Sequence, residues 1–123
     1  MTVGPVTTAT EATELLSRLV AIPSVTPGIE NGSGEAAMAD VVEALARECG
    51  AEVERQEVLP GRSNVLCSLP AGADAPHLVL EAHMDTVALG PMSAGHRPHV
   101  DGDGRLHGLE HGSPLAHLGI GRA

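Results

Sequence analysis

The sequence of 123 residues contains no Phe, Tyr or Trp and no Lys, and its 7 basic residues are all Arg. Without aromatic rings, any core has to be filled by Leu, Val, Ile, Met and Ala. The same lack, with 16 acidic residues against 7 basic ones and a net charge of -9, leaves neither a basic cluster to neutralise phosphates nor a platform to stack bases. Nucleic acid is therefore excluded as a partner. The longest apolar runs fall far short of the ~18 residues that span a bilayer, and the N-terminus lacks a charged and then apolar signal pattern. A soluble, cytoplasmic protein without a membrane partner is expected. Cys49 and Cys67 stand alone and form no CxxC pair, so they read as small buried hydrophobes. The preference for Arg over Lys, with few Asn and Ile, is that of a gene rich in G and C and carries no function.

One domain is the ceiling at this length, with roughly two thirds of the unfolded surface buried on folding. Thr8 and Glu11 have capping-box spacing, and Ala12, Leu15, Leu16, Leu19 and Val20 recur at helical period, which predicts a helix over 9–21. Pro23 stops it, and 23–34 is a loop rich in Pro and Gly. A second helix is predicted from near Ser33 to Gly50. Met38, Val41, Val42 and Leu45 form its apolar stripe, and Glu35, Asp40, Glu43, Arg47 and Glu48 its solvated face. Residues 51–58 read as a polar edge strand before a Pro60-Gly61 turn, and 64–69 and 77–82 as short apolar strands. Apolar strands that follow helices suggest a sheet covered by helices, hence an α/β or α+β domain. Asp101-Gly-Asp-Gly104 is the turn of a small hairpin between 98–100 and 105–107. A calcium loop is a poor reading of it, because Gly112 stands where the loop's last glutamate belongs.

The sharpest chemical signal is Glu81-Ala-His-Met-Asp-Thr-Val87, at the C-terminal end of the most apolar predicted strand, where open α/β sheets bind ligands. Residues two apart on a strand share a face, so His83 and Asp85 project together. A zinc-bound His needs its second ring nitrogen held by a carboxylate or carbonyl, and Asp85 is placed for that. A His and an Asp two apart are common, however, and spacing alone leaves a purely structural role open.

Beyond spacing, Leu78-Val-Leu-Glu-Ala-His-Met-Asp-Thr-Val87 followed by Gly90-Pro91 resembles the metal-site strand of the zinc-dependent aminoacylase and carboxypeptidase family, which includes acetylornithine deacetylase, succinyl-diaminopimelate desuccinylase and glutamate carboxypeptidase. Leu19-Val-Ala-Ile-Pro-Ser-Val25 resembles the end of that family's first helix, and Asp101-Gly-Asp-Gly-Arg-Leu-His-Gly108 the hairpin before its second metal ligand. The resemblance implies an α/β fold over residues 1–108, the N-terminal portion of a helix-covered mixed-sheet zinc-peptidase catalytic domain without its lid domain. It implies two zinc ions per complete site, and hydrolysis of N-acyl amino acids or peptides by metal-activated water. His83 then matches a zinc ligand, and Asp85 the active-site carboxylate that orients it. Glu81 and Thr86 flank the site as structural residues.

The likeness stops at Gly108. The family's bridging aspartate falls on Ser113 and its following lysine on Leu115, and a neutral hydroxyl does not offset two cations. Residues 109–123 are read as an atypical tail, disordered or out of frame, and the chain as an incomplete fragment expected to be inactive alone. Two other readings rest on histidines. His107-Gly-Leu-Glu-His111 matches an H-x-x-E-H metallopeptidase pattern, but Gly108, Gly112 and Pro114 oppose the helix it requires. His96, His99, His107, His111 and His117 suggest instead a non-catalytic metal-binding or partner-binding module.

Overall fold

Thr8 opens helix α1 (Ala9–Val20). Its hydroxyl accepts the Glu11 amide at 3.2 Å, and the Glu11 carboxylate accepts the Thr8 amide at 2.7 Å, which is the reciprocal capping box that the spacing predicts. These bonds, the backbone one foremost, hold the Glu11 carboxyl below the usual glutamate range. The contribution is present above the unfolded-state pKa and is lost as pH falls through the lowered folded value. Thr8→Ala is expected to cost about 1 kcal/mol in urea unfolding. The Glu11 midpoint should rise in an NMR titration of the variant; an unmoved midpoint would show that the box does not form in solution.

A computed structural model describes residues 8–30, 32–76, 78–91 and 95–108. Helix α2 (Ala36–Glu48) starts later than its pattern predicts, because the Ser33 hydroxyl is engaged elsewhere and accepts the Val25 amide at 3.1 Å. Strands β1 (Glu52–Leu59) and β2 (Arg62–Ser68) follow as an antiparallel hairpin. Pro60 presets the first turn position and Gly61, at φ +72°, takes the left-handed second one, the pattern of a type II turn. The register shifts by one residue between Glu57 and Leu59, which makes Val58 a bulge.

Helix α2 packs on one face of this hairpin, the face of the half-buried Val53, Arg55 and Val65. The alternate residues Glu52, Glu54 and Gln56 are exposed. Two of the charges read as a wet helix face are therefore turned toward the sheet. Arg55 donates to Glu43 at 2.8 Å and also to Asp40, while Arg47 donates to Glu43 at 2.8 Å from the next helical turn. Arg55 first, then Arg47, holds the Glu43 carboxyl below its ordinary range. Glu35 is buried outright. The sheet presents guanidinium groups at these positions, so acidic side chains face them. The cysteines also depart from expectation. Cys49 caps α2 at the surface, Cys67 lies near the open end of β2, and both are exposed.

The predicted apolar strand over 77–82 is not formed over 78–82, and His77 lies outside the described residues. Leu78, Val79 and Leu80 are 79%, 85% and 71% exposed. A strand buried on both faces needs neighbours on both edges. Among the described residues this segment pairs only beyond its end, through a parallel Val25–Thr86 bridge. Among the described residues, the parallel pairing expected of a mixed sheet is confined to that bridge.

Strands β3 (His99–Val100) and β4 (Leu106–His107) form the second hairpin around the predicted Asp101–Gly104 turn. Gly108 follows, so close to α1 that a Cβ there would overlap Val20. The described residues thus form an α/β arrangement of two helices and two separate two-stranded antiparallel sheets. Its fully enclosed apolar residues, among those described, are Val25 and Ala39, a smaller core than the composition allows. No helix among the described residues is long and apolar enough to cross a membrane. The atypical tail 109–123 lies outside the described residues.

Candidate functional site

The site is organised by three residues after α1. Pro23 cannot continue a helix, and the chain turns extended through Ser24-Val25-Thr26. On one side the Thr86 amide donates to the Ser24 carbonyl and the Thr26 amide to the Thr86 carbonyl, both at 2.9 Å. On the other, the Gly34 amide donates to the Val25 carbonyl at 2.9 Å, opposite the Ser33 bond to the Val25 amide. Ser24 and Val25 are fully buried. This short crossing segment ties two loops together, and the predicted site residues sit on one of them.

His83 and Asp85 meet, although not on the strand that their spacing presumes, since residues 81–85 form none. The His83 Nδ1 lies 2.7 Å from the Asp85 carbonyl oxygen and 3.3 Å from its Oδ1. Both neighbours are acceptors, so Nδ1 carries the proton and Nε2 keeps its lone pair in the neutral ring. The side chain is 79% exposed, which leaves the ring open to a ligand. Asp85 is fixed in turn by the Thr26 hydroxyl, which donates to Asp85 Oδ2 at 2.9 Å and lies 3.0 Å from the Thr86 carbonyl. The orienting atom closest to His83 is thus the backbone oxygen of Asp85, with the carboxylate as a longer second contact. Glu81 is exposed, and Thr86 serves the bridge.

A cleft of about 330 Å³ opens beside this pair, within the size range of small-molecule sites. His83, Met84 and Asp85 line one side, and Glu35, Arg62 and Asn64 line the other. Arg62 donates to Glu35 Oε1 at 2.6 Å, and Glu35 Oε2 is buried with no partner among the described residues. Sequence reasoning missed both Glu35 and Arg62. They stand 27 positions apart, and no short pattern links the N-cap of a helix to the residue after a distant turn.

Among the described residues, no group of three or more His, Cys, Asp or Glu side chains is arranged to hold a metal ion. His83 with Asp85 supplies one oriented imidazole, which suits one corner of a tetrahedral zinc site, and the described residues do not close the other corners. His107 lies in a strand, so the helix required by an H-x-x-E-H site does not start there, and 109–111 lie outside the described residues. Comparison with protein-family models, curated proteins and solved structures finds no match for this chain.

Proposed function

We propose that this chain carries the first part of a zinc-dependent hydrolase site of the aminoacylase and carboxypeptidase type, in a helix-covered catalytic domain acting on an N-acyl amino acid or peptide. The observation that supports it most is His83, held at Nδ1 by Asp85 and open at Nε2, with Asp85 itself held by Thr26. In this reading His83 is the zinc ligand, Asp85 the positioning residue, and the adjoining cleft the place of a small substrate. Bound zinc supplies a Lewis acid and an acidified water to such a reaction. Thr26 and Asp85 fix the imidazole rotamer and tautomer, which a ligand nitrogen requires before metal arrives.

Residue-resolved imidazole NMR with Zn²⁺ tests this. The His83 Nε2 resonance is expected to shift, the shift should vanish in His83→Ala, and Asp85→Ala should weaken it about tenfold, the lower end for loss of an orienting partner because the backbone contact remains. A His83 resonance indifferent to zinc would remove the reading. Since one imidazole does not close a catalytic site, hydrolysis of N-acetyl amino acids by this chain with added zinc is expected to stay at background.

A further inference from the structure

We propose that the β3–β4 hairpin is a divalent-metal site of its own, a bis-imidazole clip formed by His99 and His107 that takes Zn²⁺ or Cu²⁺ with water completing the coordination shell. The two residues are direct partners across the antiparallel ladder, so the backbone sets their separation. Their rings stack with centroids 4.8 Å apart and planes 12° from parallel. In the stack each ring's lone pairs lie in its own plane, so the side chains turn out of the stack to bring one nitrogen from each to an ion at about 2.0–2.1 Å; the cross-strand pairing keeps them within that reach.

One of the two rings is already prepared. His107 Nε2 lies 2.7 Å from Asp101 Oδ2, which places the proton on Nε2 and leaves the Nδ1 lone pair free in the neutral ring. Asp101 does not move to make that contact, because its Oδ1 accepts the Asp103 and Arg105 amides, each at 2.9 Å. The Arg105 guanidinium donates to Asp103 at 3.4 Å. An aspartate orients an imidazole here as at His83, but through its carboxylate at Nε2 rather than its backbone oxygen at Nδ1, and the two places share no residue.

The test uses the full chain titrated with Zn²⁺ alone and then Cu²⁺ alone, followed by calorimetry and imidazole ¹⁵N NMR. Expected are joint shifts of the His99 and His107 ring nitrogens at one ion per chain, with Cu²⁺ the tighter of the two. His99→Ala and His107→Ala should each lower affinity about tenfold or more as chelation is lost, and Asp101→Asn about tenfold through the lost orienting bond. A His111→Ala/His117→Ala double variant should bind within about twofold of the parent, since neither residue belongs to the clip. His99→Ala binding within about twofold of the parent overturns the proposal, as does a metal that shifts only His111 and His117. Shifts confined to His83 overturn it too while supporting the hydrolase reading, and shifts confined to His99 and His107 do the reverse.

Discussion

Replacing Arg62 by methionine is expected to lower the free energy of unfolding by about 3 kcal/mol, the low end of the about 3–5 kcal/mol for breaking a buried pair by removing one partner. Glu35 is 8% exposed, its Oε1 accepts from Arg62, and its Oε2 has no other partner among the described residues. Removing the guanidinium therefore leaves a carboxylate away from water with nothing to offset its charge. The Arg62 side chain is 33% exposed, so solvent already screens part of the interaction, which is why the low end applies. Replacing both residues, as Glu35→Leu with Arg62→Met, should restore most of the loss, since an apolar pair of similar volume does not incur the desolvation cost. Urea unfolding of the four proteins of this cycle measures the coupling. An Arg62→Met variant within 0.5 kcal/mol of the parent, about what an ordinary surface substitution costs, would mean that the two side chains do not meet in solution. The effect reaches the site as well, because this pair ties the β1–β2 turn to the start of α2, and both line the cleft opposite His83.

The second large effect is expected at Val25, where truncation to alanine should cost about 2–3 kcal/mol. Two buried methyl groups contribute about 0.8 kcal/mol each, and the cavity left behind adds the rest. Val25 is 0% exposed and lies between the Ser33–Gly34 and Thr86 connections, so its surroundings have little freedom to collapse inward. The informative control is Val79→Ala, at a valine 85% exposed, expected to change stability by less than about 0.5 kcal/mol. Equal losses at the two positions would show that 78–82 is covered in solution and would contradict the arrangement described here. Loosening at Val25 should also reach His83 through the Thr26–Asp85 bond, seen as faster exchange of the Thr26 and Thr86 amides.

Those two valines show how far patterns along the chain lead. Val79 sits in the most apolar run, which its near-continuous apolar character assigns to a strand in a helix-covered sheet, yet it is exposed. Val25 sits in a loop rich in Pro and Gly with little periodicity, yet it is enclosed. Periodicity reports which face of an element would be buried if a partner covers it. It is silent on whether the partner is there. Where the determinants are local, the reading holds well: the capping box at Thr8 and Glu11, the helices α1 and α2 themselves, the Pro60-Gly61 turn and the Asp101–Gly104 turn all form. The faces those helices bury do not follow their stripes, since α1 encloses no residue and Asp40 and Glu43 of α2 face Arg55.

The candidate site divides along the same line. His83 and Asp85 are two residues apart, and that spacing was enough to bring them into contact, because neighbouring positions meet at no cost in loop closure. The Thr26 hydroxyl that fixes Asp85 comes from 59 positions away, and the Arg62 that meets Glu35 from 27. No local pattern encodes such pairs, since any of the 7 arginines had an equal formal claim on the carboxylates of α2. Which one faces Glu35 depends on where the β1–β2 turn lands against the helix. Residue order thus settled the helices, the turns and the His83–Asp85 contact, all governed by backbone geometry within a few residues. The enclosed position of Val25, the part-buried Glu35–Arg62 pair and the cleft arise only when distant segments pack, because burial and desolvation belong to the assembled chain.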